Sequence, residues 1–246
     1  MSLDTLLDPH LAAVLAIVLI GAWLQGAVGI GLGIFAAPLL ALLDPAFVPG
    51  PLLFAAMLLG SMMAVRERRA IVGSTIGWAL LGRAPGNLLG AALVSVAAAA
   101  WLDLALGGLI LGCVALSFSR WDLRPTRRYL VGAGLLSGIT GTAASVGGPP
   151  MALVLQREEG PAVRATLSLY FLVATALSLI TLTAFGEFDR DGLVRALTLT
   201  PAVLVGFLVS RSSHGWIDRG RLQPAILSVS GVAALWVLIR GVRALL

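Results

Sequence analysis

Polar residues occur in this chain as short clusters between long apolar runs. Leu11 to Leu43 is apolar except for Gln25, with small residues crowded around Gly29, Gly31 and Gly33. Asp44 and the prolines at 45, 49 and 51 close that run, and Leu52 to Val65 leads into Arg66-Glu67-Arg68-Arg69. Gly73 to Leu102 holds Arg83, Pro85 and Asn87; Leu104 to Phe118 then precedes the basic stretch Arg120 to Arg128. Tyr129 to Gln156 is again long and ends at Arg157-Glu158-Glu159-Gly160. Arg164 to Phe185, the acidic turn Gly186 to Gly192, Leu193 to Ser210, the basic loop Arg211 to Arg221 and Pro224 to Ile239 complete the order. Runs of ~17 residues or more cross a ~30 Å hydrocarbon layer as helices, whereas a membrane barrel would alternate over ~10-residue strands. The pattern predicts an all-α polytopic membrane protein.

Composition agrees and excludes other classes. Of 246 residues 59% are hydrophobic and 12% charged, about half the charged fraction of a soluble domain. The formal charge of +5 would suit nucleic acid, but all 17 basic residues are Arg and most flank apolar runs. Topology explains them better, and no nucleic-acid partner is expected. One cysteine, Cys113, and two histidines, His10 and His214, both assigned to loops, give a metal site, a cofactor or a covalent nucleophile almost no material. The opening residues lack a basic region and carry Asp4 and Asp8, so Leu11 to Leu24 is expected to be a retained first helix. Trp23, Trp78, Trp101, Trp121 and Trp216 fall near run ends as interfacial anchors, Trp236 being the exception.

Two stretches resist being single helices. GAVGIGLGIFAAPLL, from Gly26 to Leu40, and GITGTAASVGGPPMALVL, from Gly138 to Leu155, are apolar yet rich in glycine and proline. A break at bilayer depth persists only where protein or a water-lined cavity meets the freed backbone groups, which makes each break a candidate binding site. The Leu11–Leu43 run is just long enough for a tight pair of short helices.

The arginines give sidedness. Arg66–Arg69, Arg120–Arg128 and Arg211–Arg221 are expected in the cytoplasm, with Asp44, Asp103 and Glu187–Asp191 on the other face. For those assignments to hold together, each broken segment must enter and return. Each half is then a broken or re-entrant hairpin followed by three transmembrane helices, the halves inverted: residues 1–119 and 120–246, with both termini outside the cytoplasm. Arg240 and Arg243 violate the rule. Internal spacing supports duplication: Gly26, Gly29 and Pro38 are spaced as Gly138, Gly141 and Pro150, and Pro85 and Gly90 as Pro201 and Gly206. Helix-packing glycines recurring by chance are the competing explanation.

On these stretches, and on the Pro85–Gly90 and Pro201–Gly206 elements, the chain resembles the TauE/SafE-type sulfite exporters over nearly its whole length. It departs from that pattern at Leu32, which interrupts the first glycine cluster, and at Ala143 and Ser145, where glycine is common. The resemblance implies transport of a sulfur oxyanion such as sulfite or an organosulfonate, across the inner membrane.

The residues themselves point to the same sign of charge. Half-helix N-termini favour anions, and two of them facing at a repeat interface would cradle one. Candidate site residues are Gln25, Gly29, Gly31, Gly33, Arg83, Asn87, Thr140, Gly141, Thr142, Ser145, Gly147, Gly148 and Pro149. For the glycines, lining a site competes with letting helices approach; for Ser137, Thr140 and Thr142, ligand contact competes with bonding back to a helix carbonyl. Arg83 within an apolar run costs ~2.5–3.5 kcal/mol on insertion scales and is a functional candidate by default. If its helix instead begins at Ala84, Arg83 lies at the interface and Pro85 simply starts the helix.

None of the 12 acids lies clearly inside a run, so no proton relay of the usual kind is visible. Outward movement of an anion needs none when the cell interior is negative. The expectation is an exporter of a small inorganic or organic anion, not an enzyme, with a lipid bilayer around it and a homo-oligomer left open. Alternatives are another small anion, an uptake carrier or a non-transporting scaffold; a membrane enzyme on lipid-linked substrates lacks the clustered His, Asp or Cys it would need.

Overall fold

A computed structural model describes residues 8–67, 73–118, 123–156, 160–212 and 219–246. Expectations for the residues before Asp8, for Arg68, Arg69, Trp121, His214 and Trp216, and for Arg157-Glu158-Glu159 lie outside the described residues.

The described chain is helical throughout, with one 3-10 turn at Pro45–Phe47. In order the helices are α1 Pro9–Val28, α2 Leu32–Leu43, α3 Gly50–Glu67, α4 Gly73–Val96 and α5 Ala99–Phe118. There follow α6 Arg127–Ala144, α7 Gly148–Val154, α8 Gly160–Ala184, α9 Arg190–Ser212 and α10 Arg219–Leu245. Six of them, α1, α4, α5, α8, α9 and α10, contain windows long and apolar enough to span a bilayer. The outside of α9 is apolar too: Val194, Leu197, Leu208 and Val209 are exposed. Such a surface suits lipid rather than water. The protein is a multi-pass membrane protein.

Both long segments are interrupted, though not as a pair of short helices in the first half. α1 is capped by Asp8, whose side chain accepts from the His10 N–H at 3.0 Å, and runs a full 20 residues. His10 therefore sits in the first turn of α1, not in a loop. The helix ends where Gly29 takes φ of 99°, a left-handed conformation open to glycine. In the second half Ser145 takes the left-handed turn, at φ 58°. Pro149 and Pro150 do not break a helix but open α7, where a missing N–H costs nothing. Pro85 lies inside α4, twelve residues beyond where its helix starts.

Neighbour relations repeat between halves. α4 packs on α6 as α9 packs on α1; α3 meets α9 as α8 meets α4; α2 meets α10 as α7 meets α5. The pairs α3–α8 and α5–α10 complete the set. Exchanging α1–α5 for α6–α10 maps the first six pairs onto one another and the last two onto themselves.

The α4–α6 contact depends on missing side chains. Gly82, Gly86 and Gly90 on α4 face the α6 backbone, and Gly134 and Gly138 on α6 face α4. A methyl group at Gly86 would sit 2.9 Å from the Gly138 Cα, and one at Gly138 would sit 2.8 Å from the Gly86 Cα. Backbones this close are the small-residue packing of membrane helices.

Arg240, against the expected sidedness, pairs with Asp103. Its Nε and Nη2 donate to the two carboxylate oxygens at 2.7 Å each, and Nη2 also donates to the Ala41 carbonyl at 3.0 Å. The bidentate acid neutralises the violating charge.

Substituting Gly86→Leu is expected to destabilise the protein by at least about 2 kcal/mol through overpacking. On the same helix Gly77→Leu, where nothing lies within 4 Å of the added carbon, should leave the melting temperature in detergent unchanged.

Candidate functional site

The two interruptions meet. A Cβ on Gly33, at the start of α2, would run into the Ser145 carbonyl at the end of α6. Ser145 Oγ in turn donates to the Pro49 carbonyl at 3.0 Å, tying the break to the segment that leads into α3. Between the breaks lies a cavity with about 40 Å³ of room. Gln25, Gly31 and Gly33 line it from the first broken segment, and Gly141, Ser145, Gly147, Gly148 and Pro149 from the second. Leu53 and Ala56 of α3 and Phe171 and Thr175 of α8 add apolar and hydroxyl wall. Among the described residues, Arg83 is the one charged residue in the lining.

Arg83 is 1% exposed, which excludes the interfacial reading. Its Nε donates to Asn87 Oδ1 at 2.9 Å, one helical turn on. Nη1 donates to Ser137 Oγ at 2.7 Å and Nη2 to Ser178 Oγ at 2.9 Å. Tyr170 OH lies 3.5 Å from Nη1, and the Tyr170 ring centroid 5.7 Å from the guanidinium carbon. Every one of these partners is neutral. The Arg240–Asp103 ion pair lies elsewhere. A guanidinium has five N–H groups in a fixed fork, and these contacts leave one on each Nη without a short bond.

The acceptors are themselves held. Ser137 Oγ donates to the Gly147 carbonyl at 2.6 Å and accepts from Tyr170 OH at 3.0 Å. Thr142 Oγ1 stands 3.0 Å from Asn87 Oδ1 and 2.9 Å from Ser178 Oγ. Asn87 Nδ2, fully buried, has no hydrogen-bond partner. Its oxygen already faces the arginine, so turning the amide would set two donors against each other. A buried donor left unmet costs about 1–3 kcal/mol. A net positive charge and an unmet donor thus sit in one cluster.

Glycine makes room for this charge. A Cβ on Gly141 would lie 2.7 Å from Arg83 Nη2, and one on Gly147 would lie 2.8 Å from Nη1. For these two the site-lining role stands beside packing. On the far side of the cavity Ile30, carried between Gly29 and Gly31, and Phe171 both approach Gly148.

Several candidates have other duties. Gln25 Oε1 accepts from the Leu32 N–H at 3.1 Å, so its side chain caps α2 instead of offering that N–H to a ligand. Prolines hold the second and third positions of α7 and have no N–H. The positive element here is the guanidinium, not a pair of bare helix termini. Thr140 bonds back to the Leu136 carbonyl at 2.9 Å, and Gly29 lies against the Arg164 stem. Tyr170, Ser178, Thr175 and Phe171 were not singled out from sequence. Their signal was spacing: Tyr170 and Ser178 lie two turns apart on one face of α8.

Among the described residues the cavity between the two interrupted segments is thus lined by one arginine and no acid. The family described as Sulfite exporter TauE/SafE matches residues 13–237, and the chain belongs to this family of membrane transporters. Comparison with curated proteins and with solved structures returned no match.

Gly147→Ala places a methyl 2.8 Å from Arg83 Nη1 and 2.9 Å from Ser137 Oγ. Loss of one charged hydrogen bond, about 1.5–3 kcal/mol, is expected as a lower melting temperature. Gly148→Ala meets Ile30 at an ordinary 3.5 Å and should melt as the parent does.

Proposed function

We propose that this protein exports a small sulfur oxyanion across the cytoplasmic membrane, binding it in the cavity at Arg83. The observation that carries the reading is a fully buried guanidinium whose hydrogen-bond partners are all neutral. A buried charge without a counter-charge is expensive, and a transported anion is the missing partner. Sulfur as the central atom rests on family membership.

The binding step needs two surfaces. The open Nη hydrogens of Arg83 take two oxygens of the anion in fork geometry. Ser145, Thr175 and the amide of Gln25 supply neutral polar wall, and Leu53, Ala56 and Phe171 keep water out. Asn87, Ser137, Tyr170 and Ser178 hold the guanidinium in place. Export, rather than accumulation, is supported by a lining without Asp, Glu or His to carry a coupled proton. The membrane potential contributes about 2.3 kcal/mol per charge per 100 mV to outward anion movement.

Access alternates by movement of one broken segment against the other, the halves 1–119 and 120–246 being inverted repeats with both termini outside. The exchange symmetry of the helix pairs supports this. So does Asp103, which allows Arg240 to lie on the outer side. Ile30, on its two-glycine hinge, and Phe171 form the apolar gate over Gly148.

In proteoliposomes loaded with radiolabelled sulfite, the protein should release label faster than empty vesicles. Arg83→Gln should cut that rate about 100-fold, the loss of two charged hydrogen bonds, and Arg83→Lys should rescue it only partly. Trp236→Leu, on an exposed face of α10, should not change it. Parent protein that is folded by thermal melt yet releases no label would end the reading.

A further inference from the structure

We propose that the cavity carries its oxyanion as a singly charged ion, so that a diprotic oxyanion crosses in its protonated, monovalent form. This rests on the reading of the Arg83 cavity given above and specifies the charge and size of what it takes.

Three observations carry it. First, the lining contains one formal charge, Arg83, and no second cation. A monoanion there makes a neutral pair, whereas a dianion leaves one negative charge in a low-dielectric wall. The solvation cost of an ion rises as the square of its charge, so the second charge is the expensive one. Second, the repeat does not supply a matching arginine. By the spacing that pairs Pro85 with Pro201, the places of Arg83 and Asn87 are taken by Leu199 and Val203. Both are 0% exposed and belong to a dry apolar cluster with Val14, Val18 and Ala22. Third, about 40 Å³ is roughly three times the room one enclosed water needs, which admits an ion of about four or five heavy atoms and no long organic tail.

Protein titration is not the cause invoked. Of the helices packed on α4, α6 presents Ser137 and Thr142 to the cluster, and α8 presents Tyr170 and Ser178. Tyr170 is the one titratable group among them.

The test is flux of three anions into proteoliposomes of the full chain, at equal pH inside and out. Methanesulfonate and sulfate are both tetrahedral with five heavy atoms and differ in charge. Sulfite changes from one charge to two near neutral pH. Methanesulfonate should exceed sulfate by about tenfold or more and should not vary across that pH range, which also reports on Tyr170. Sulfite flux at fixed total concentration should fall several-fold as pH rises through its second ionisation. Sulfate moving as fast as methanesulfonate, or sulfite flux rising with the dianion, would overturn the inference while leaving the Arg83 site intact. If none of the three crosses with folded protein, the reading of the site falls and this inference with it.

Discussion

A guanidinium without a counter-charge, sealed in the middle of a membrane helix, is the constraint around which the rest of this structure is arranged. Arg83 could not be inserted cheaply, nor could it stay unsatisfied once inserted. Its surroundings answer the second problem in part. Three neutral oxygens from α4, α6 and α8 accept from it, and each is oriented by a further bond of its own. That arrangement stabilises the side chain's position without cancelling its charge. A carboxylate in the same place would have cancelled it.

The packing of α4 on α6 is the condition for this. Gly86 and Gly138 bring the two backbones together, which sets Ser137 and Thr142 within reach of a side chain that starts on the neighbouring helix. Gly141 and Gly147 then leave the Nη edge uncovered. The same residue type therefore acts twice, once to draw helices together and once to keep a charged edge open. The competition between packing and site-lining that the sequence posed was a false choice for this stretch, because the packing positions the charge.

Much of the architecture was readable from residues. Hydropathy was enough for helices and long spans, and clustered glycine and proline marked both interrupted segments. Those signals are local, and so survive in a one-dimensional string. The position of Arg83 was not local. It turned on where α4 begins, and Gly73 carries no strong start signal to exclude a helix opening at Pro85. Tyr170 and Ser178 were missed for a related reason. Single hydroxyls on an apolar helix usually bond to their own backbone, as Thr181 and Thr183 do here. Only the neighbour across the interface separates the two uses. Gln25 depends on the fold in the same way: it lines the cavity, and its oxygen accepts from the open end of α2, seven residues on.

The exchange of helix pairs accounts for the scaffold but not the chemistry, and the difference between the halves is informative. Helix pairs exchange under a swap of the halves, yet the polar cluster exists once. At the corresponding places Leu199 and Val203 lie in apolar surroundings, and the arginine that reaches α1 and α9 is Arg66 of α3, which donates to the Gly26 carbonyl and lies over the Phe207 ring. A second arginine in the Arg83 cavity would set two like charges against each other, which in a low-dielectric setting repel strongly when empty. Such a site would need a dianion merely to hold its shape, and would release it with difficulty. One arginine avoids that. On the proposed reading a single guanidinium draws an anion out of water and still releases it, with neutral partners standing in when the anion leaves.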